Sequence, residues 1–126
     1  MLQQKSASLH PDAGTTLSKA VVRAAEFLGF SQAAMADVLC LSSASVSRLF
    51  AGTYVLNPAR KAEWQLGLMF VRMFRSLDSI LGRGESARIW LSGENAALGG
   101  RPEELVRKME GLGRVVTYLD AYRGRV

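Results

Sequence analysis

The sequence predicts an all-α protein, and three observations support this prediction. Apolar residues recur at spacings of three and four through most of the chain, which is the period of one face of an α-helix. Ser, Asn and Gly stand where these runs begin and end, as helix caps require. The adjacent valines Val115 and Val116 lie in no alternating apolar and polar segment, so no β-strand is predicted there.

The composition excludes several classes of protein. The chain has 126 residues, of which 48% are hydrophobic and 21% are charged, and this is typical of one globular domain or of two small helical modules that share a core. A single cysteine, Cys40, excludes an internal disulfide framework and a cysteine-based zinc cluster. The sequence shows neither a secretory signal core nor an apolar run of roughly 20 residues. We therefore expect a cytoplasmic protein.

The N-terminal part of the chain predicts an arm followed by three short helices. Residues 1–15 show little periodicity, and we expect them to form a flexible arm. Ser31 and Ser42 stand at N-cap positions, and Gly29 and Gly52 stand where helices end. The expected helices span residues 16–28, 31–39 and 42–51.

The C-terminal part predicts a long helix and three shorter ones. Asn57 and Pro58 form a helix-start signal, and the apolar spacing then continues to Leu81 before Gly82. The shorter helices are expected at residues 85–92, 102–109 and 112–123. This pattern divides the chain into an arm (1–15), an N-terminal helical domain (16–56), and the long helix with a small helical domain (57–126).

Residues 29–52 predict two short helices joined by a tight turn. Met35, Leu39, Val46 and Leu49 are expected to face inward. Small residues and one cation remain on the outer face of the second helix, which is thin enough to enter a DNA major groove. That face consists of Ser43, Ala44, Ser45, Ser47 and Arg48.

This segment resembles the helix-turn-helix of the Xre family of phage-repressor-like regulators. The matching positions are Ser31-Gln32, Ala36, Ser42, Val46-Ser47-Arg48 and Gly52, with Cys40 standing where the family usually has Gly at the turn. The resemblance implies contact with DNA phosphate by Gln32. It implies contact with base edges or backbone by Ser43, Ala44, Ser47 and Arg48. A helical hairpin that serves only stability is the alternative.

The charge distribution qualifies the prediction of DNA binding. The chain carries a net charge of +5, but residues 1–57 hold four cations and three anions, so that +4 lies in residues 58–126. Arg48 is the only charged residue between Val38 and Ala59. Because each neutralised phosphate adds to affinity, one cation per recognition helix predicts that binding needs a dimer or a larger assembly.

Residues 82–124 carry a second pattern, in which Trp90 closes a short helix and a glycine-rich loop precedes Pro102. The segment resembles the C-terminal domain of the Xre–MbcA–ParS antitoxins, and Glu94 is a departure where the family often has Pro. The matching positions are Ala87, Trp90-Leu91, Asn95, Leu98-Gly99-Gly100, Pro102, Leu105, Gly111, Val115, Leu119 and Gly124.

The resemblance implies an antitoxin of a type II toxin–antitoxin system. Such an antitoxin binds a RES-domain toxin, an enzyme that consumes NAD or transfers a group from it. The antitoxin itself forms a homodimer and represses its own operon by binding operator DNA. The expected toxin-binding residues are Trp90, Asn95, Arg101, Tyr122, Arg123, Gly124, Arg125 and Val126. Two alternatives are a stand-alone regulator whose C-terminal domain only dimerises, and a protein-binding module whose helix-turn-helix has lost DNA affinity.

Two further expectations concern the dimer and the tail. The apolar face of the Pro58–Leu81 helix exceeds the needs of a small core, which predicts a dimer seam. The seam residues are Met69, Phe70, Met73, Leu77 and Ile80. Gly124 is expected to adopt the left-handed conformation, so that Arg125 and Val126 project into the toxin cleft; a frayed tail is the alternative.

No enzyme, cofactor or metal site is predicted. Residues 82–87 match a glycine-rich dinucleotide loop, but a helix precedes them where that loop needs a strand. His10 is the only histidine and lies in the expected arm, so no histidine-based triad or histidine-rich metal site is expected. Cys40 is expected to fill the core of the helix-turn-helix.

Overall fold

The computed structural model describes the backbone of residues 2–124 and the side chains of residues 13–124. Along this part of the chain the backbone forms seven α-helices and no strand, apart from one bridge between Asn95 and Gly100. The prediction of an all-α protein is confirmed. The helices are α1 (Leu2–Leu28), α2 (Gln32–Leu39), α3 (Ser43–Ala51), α4 (Lys61–Leu81), α5 (Glu85–Ser92), α6 (Pro102–Leu105) and α7 (Met109–Arg123).

The first helix is longer than the sequence predicts. It begins at Leu2, so the backbone is helical over most of the range that was expected to be an arm. Part of the reason is tertiary: a Cβ added at Gly14 would lie 2.7 Å from the carbonyl oxygen of Leu56, so this turn of α1 is packed closely against the chain. The helix ends at Leu28, as predicted, and Gly29 has a φ of 78°.

The start of α4 also differs from the prediction. Asn57 and Pro58 form a turn, in which the Asn57 side-chain oxygen accepts a hydrogen bond from the Ala59 N–H at 2.9 Å. The Arg60 N–H donates to the Asn57 carbonyl at 2.9 Å, and the helix begins only at Lys61. The turn therefore already pairs the N–H groups of Ala59 and Arg60, which would lie in the first turn of a helix that began at Pro58.

The break between α6 and α7 comes earlier than predicted. A Cβ on Gly111 would overlap the carbonyl oxygen of Leu105, so the two helices approach each other backbone to backbone. The chain therefore leaves α6 after Leu105 and starts α7 at Met109, where the predicted helices spanned 102–109 and 112–123.

Helix α4 forms the centre of the fold, and α1, α2, α5 and α7 all pack on it. Phe70, Met73 and Leu77 are each 0% exposed within this core. The predicted dimer seam is therefore wrong for these three residues, because the chain's own helices already cover them. Met69 and Ile80 are partly buried against the same core.

Within the described residues, none of the helices taken singly has the length and apolar character to span a bilayer. The pair of α2 and α3 meets that test together on length and composition, but its axes are bent by 111°.

Candidate functional site

Helices α2 and α3 meet in the geometry of a helix-turn-helix. Their axes differ by 111°, within the range of about 90–120° that is typical of the motif. The Ser31 hydroxyl accepts from the Ala34 N–H at 3.0 Å, and the Ser42 hydroxyl accepts from the Ser45 N–H at 3.1 Å. Both predicted caps are therefore present. The inward residues are buried as predicted, namely Met35, Leu39, Val46 and Leu49.

The turn between the two helices is made by Cys40. Its φ of 54° makes it the one non-glycine residue with a left-handed backbone in the described chain. Glycine adopts this conformation without strain, so Cys40 takes the place of a glycine and keeps the turn. The thiol is exposed. The prediction that Cys40 fills the core is wrong, because a left-handed turn residue lies outside the helix crossing.

The structure brings the predicted DNA contacts onto one outward surface. Ser43, Ala44, Ser47 and Arg48 are all exposed on α3. Gln32 is exposed at the first position of α2, where the N–H groups of a helix N-terminus can bind an anion. Arg48 forms no ion pair with any described residue. Its charge is thus available to a phosphate or a base.

Residues 53–60, which we call the strap, connect α3 to α4 and are held by buried polar groups. Ser18 donates to the Gly14 carbonyl at 2.7 Å and accepts from the Leu56 N–H at 2.9 Å. Leu56 itself is buried in the core. These contacts fix the C-terminal side of α3 to α1. The strap is therefore an anchored part of the fold.

A buried carboxylate holds the other side of the strap. Glu63 is 5% exposed and accepts from the Tyr54 hydroxyl at 2.8 Å and from the Asn57 N–H at 3.1 Å. Burial, together with the hydrogen bond to Glu63 and its charge, raises the pKa of Tyr54. Glu63 was not predicted, although its helical spacing with Leu66 and Phe70 was the available signal.

The second candidate surface carries a row of aromatic side chains across α5 and α7. Trp90 stacks on Tyr118 with ring centroids 6.2 Å apart, and Tyr118 meets Tyr122 edge to face at 5.1 Å. We call Trp90, Tyr118 and Tyr122 the aromatic row. Tyr118 was not predicted; its position four residues before Tyr122 on one helix was the signal.

Asn95 shapes the loop beside the aromatic row. Its N–H donates to the Gly100 carbonyl at 3.0 Å, and its side-chain oxygen accepts from the Leu98 N–H at 3.1 Å. Arg114 of α7 donates to the Leu98 carbonyl at 2.7 Å and ties the loop to the helix. Asn95 thus has a structural task in this loop. Arg101 is exposed at the end of the loop, where its guanidinium nitrogen lies 3.9 Å from a carboxylate oxygen of Glu104.

The C-terminal end of α7 departs from the prediction. Gly124 has φ −65° and ψ −18°, and its N–H donates to the Asp120 carbonyl at 3.0 Å. The predicted left-handed turn is wrong, because the helical hydrogen bonding continues through this residue. Arg123 is exposed and donates to the buried Ser76 hydroxyl at 3.3 Å. Arg125 and Val126 lie outside the described residues.

The other sequence features show no site chemistry in the described part of the chain. No group of three or more His, Cys, Asp or Glu residues there could hold a metal ion. Residues 82–84 follow helix α4 directly, and Gly82 and Gly84 have φ values of 78° and 104°. These glycines make a helix-to-helix turn in place of a dinucleotide loop. The side chain of His10 is outside the described residues.

Two family models match the chain. The model described as the antitoxin Xre-like helix-turn-helix domain matches residues 8–72, which is more than half of the chain. The model described as the antitoxin Xre/MbcA/ParS C-terminal toxin-binding domain matches residues 76–125. Comparison with curated proteins gives no significant match. The two matched ranges are separated by residues 73–75 of α4, so each includes part of the central helix.

Proposed function

Because the chain belongs to the family of Xre-like antitoxins, we propose that it neutralises a toxin by direct binding and regulates transcription through DNA. The observation that carries this proposal is the match of the toxin-binding domain to α5–α7, where the aromatic row lies. Aromatic residues and arginine dominate the energetic centres of protein interfaces. A binding protein, and not an enzyme, is the function that these domains support.

The toxin is proposed to be a RES-domain protein that acts on NAD. Its contact surface on this chain comprises Trp90 and Tyr122 of the aromatic row, with Arg101 and Arg123 at the margins. Asn95 contributes indirectly by shaping the loop before Arg101. Gly124, Arg125 and Val126 belong to the same surface in this proposal, since they follow Arg123 directly.

Co-expression with the neighbouring gene tests toxin binding. We expect the product of the neighbouring gene to arrest growth when it is expressed without this chain. When the two are expressed together, growth should be restored and the two proteins should co-purify. Tyr122→Ala should weaken the complex by about 2 kcal/mol, as expected of an aromatic at an interface centre. Val55→Ala is the control, because Val55 is 46% exposed against 41% for Tyr122 but lies in the strap, outside residues 76–125. Equal affinities for the two variants would place the toxin elsewhere.

DNA binding is proposed to use the exposed face of α3 with Gln32 of α2. Each recognition helix offers one cation, Arg48, so at least two protomers must bind together for useful affinity. Two protomers would pair through a surface other than Phe70, Met73 and Leu77, which are buried. In this proposal the protein acts in the cytoplasm, where it binds the DNA upstream of the operon that encodes it and so represses that operon.

A gel-shift titration at fixed salt tests this second activity. Arg48→Ala should weaken binding to the upstream DNA by about 1–3 kcal/mol, because a charge-assisted contact is lost from each protomer. Lys108→Ala is the control: Lys108 is exposed near α7, and its loss removes the same charge. If both variants bind equally well, α3 does not contact the DNA.

A further inference from the structure

A groove of about 680 Å³ lies between α1 and α4, and of its lining residues only Arg123 also belongs to the proposed toxin contact surface. Its floor is apolar and includes Ala20 of α1 with Trp64 and Leu68 of α4. Leu68 is 43% exposed although it stands on the helix that forms the centre of the fold. Together with the half-buried Trp64 it makes the groove floor a contiguous apolar patch, and such patches mark interaction sites when they are exposed.

One end of the groove is basic. It is lined by Arg72, Arg75 and Arg123, and no described lining residue carries a carboxylate. Arg72 pairs with Asp120 at 2.7 Å, outside the lining. Arg75 forms no ion pair with a described residue, and the hydrogen bond recorded for Arg123 goes to the neutral Ser76 hydroxyl. Among the described side chains, therefore, no carboxylate compensates the charges of Arg75 and Arg123 at this end.

We propose that this groove docks an acidic amphipathic helix of the toxin, an inference that rests on the proposed antitoxin function. A third helix can lie in the furrow between two packed helices and place apolar residues against Trp64 and Leu68. Its carboxylates then meet Arg75 and Arg123 in charge-assisted hydrogen bonds. Arg123 adjoins Tyr122 in sequence, so the groove leads directly to the proposed toxin surface.

A second copy of the chain fits the groove less well. In a two-fold symmetric contact each copy presents the same patch to the other, so two clusters of arginines would share one interface. Like charges brought together at an interface cost binding energy. An acidic partner removes this repulsion, and the charge of the groove therefore selects a different protein.

Calorimetric titration of the toxin against four variants tests the proposal. Leu68→Ser and Arg75→Glu should each weaken toxin binding about tenfold, because they remove the apolar anchor and reverse the charge of the basic end. Val55→Ser, at a similarly exposed apolar residue of the strap, and Lys19→Glu, a charge reversal on α1, should stay within about twofold of the wild type, because neither residue lines the groove or lies in residues 76–125. Circular dichroism melts of the four variants check that each one folds. If the wild type binds the toxin and all four variants bind equally well, the groove proposal is wrong while the antitoxin function stands.

A peptide probe separates the groove from the identity of the toxin. A fluorescein-labelled helical peptide of Leu and Glu, with Leu at positions i, i+3, i+4 and i+7, should bind the wild-type chain, as measured by anisotropy. The same peptide with Lys in place of Glu should not bind, and Arg75→Glu should abolish binding of the acidic peptide. If the neighbouring gene product fails to bind the wild type, the antitoxin function fails, and these peptides still decide the groove. Equal binding of the two peptides, or no binding of the acidic one, would overturn the proposal.

Discussion

The helices of the helix-turn-helix (α2 and α3) and those of the C-terminal region (α4–α7) have ends that are determined in different ways. Helices α2 and α3 begin at serines whose side chains accept a hydrogen bond from the first turn, and both are followed by a left-handed residue, Cys40 or Gly52. None of α4, α5, α6 and α7 has a side-chain hydrogen bond at its N-cap. The helix-turn-helix is thus encoded by local signals, whereas the C-terminal helices depend more on distant contacts.

The surfaces of the two regions also differ, both in the side chains that they expose and in whether they come from one segment of the chain. The outer face of α3 carries serines, an alanine and one arginine, which suits close approach to a smooth groove of DNA. The C-terminal surface carries the half-buried rings of Trp90 and Tyr118, the exposed Tyr122 and exposed arginines, which suit a protein partner. A local motif therefore carries the proposed DNA contacts, and a surface built from distant parts of the chain carries the proposed protein contacts.

The largest effect that tests this comparison is expected at Gly111. Gly111→Ala places a methyl group against the carbonyl oxygen of Leu105 and forces α7 away from α6, at a cost of about 3 kcal/mol of unfolding free energy. Gly113→Ala is the matched control, since its Cβ would lie 3.7 Å from the Met69 methyl, an ordinary contact. That variant should change stability by less than about 1 kcal/mol, because alanine also favours the helix.

Urea unfolding followed by circular dichroism measures both glycine variants. A loss at Gly111 that is no greater than the loss at Gly113 would show that close approach to Leu105 does not position α7. The contrast between local and distant determinants would then fail for the C-terminal region.

This contrast also explains which parts of the fold the sequence could predict. The caps at Ser31, Ser42 and Gly52 were predicted because each signal acts within a few residues of the helix end that it determines. The break after Leu105 was not predicted, because it depends on the packing of Gly111 against a carbonyl. In the upstream extension of α1, the one described tertiary contact of this kind is the packing of Gly14 against Leu56, far away in sequence.

The candidate sites divide in the same way. The exposed face of α3 was predicted correctly at Ser43, Ala44, Ser47 and Arg48, because a helical period decides which side chains point outward, whereas Ser45 is partly buried. The burial of Phe70, Met73 and Leu77 was assigned to a second subunit, since periodicity shows an apolar face but not what covers it. Glu63 and Ser18 were missed, because their partners in the strap are brought to them only by the tertiary fold.

A smaller effect is expected where the determinant is local. Ser42→Ala removes the hydrogen-bond acceptor for the Ser45 N–H and should lower the unfolding free energy by about 1 kcal/mol. Ser43→Ala, one residue along the chain, is the control, because Ser43 lies exposed within the helix, where alanine is favourable. Urea titrations of the two variants should separate by about this amount. Coincident curves would mean that tertiary packing, and not the cap, determines where α3 begins.

The smallest effect concerns the contact between the two regions. Arg107, just after α6, reaches the Asp37 carboxylate of α2, with nitrogen–oxygen distances of 2.8 and 2.9 Å. Both side chains are partly exposed, so water and salt screen the pair, and a coupling energy of about 0.5 kcal/mol is expected. A double-mutant cycle with Asp37→Ala and Arg107→Ala measures this coupling energy by urea unfolding, and 1 M salt should remove most of it.

The Arg72–Asp120 pair, which joins α4 to α7 and is similarly exposed, provides the reference cycle. A coupling above about 2 kcal/mol for Asp37 and Arg107 alone would show that this contact fixes the helix-turn-helix to the toxin-binding domain, so that a toxin bound to one region could alter DNA binding by the other.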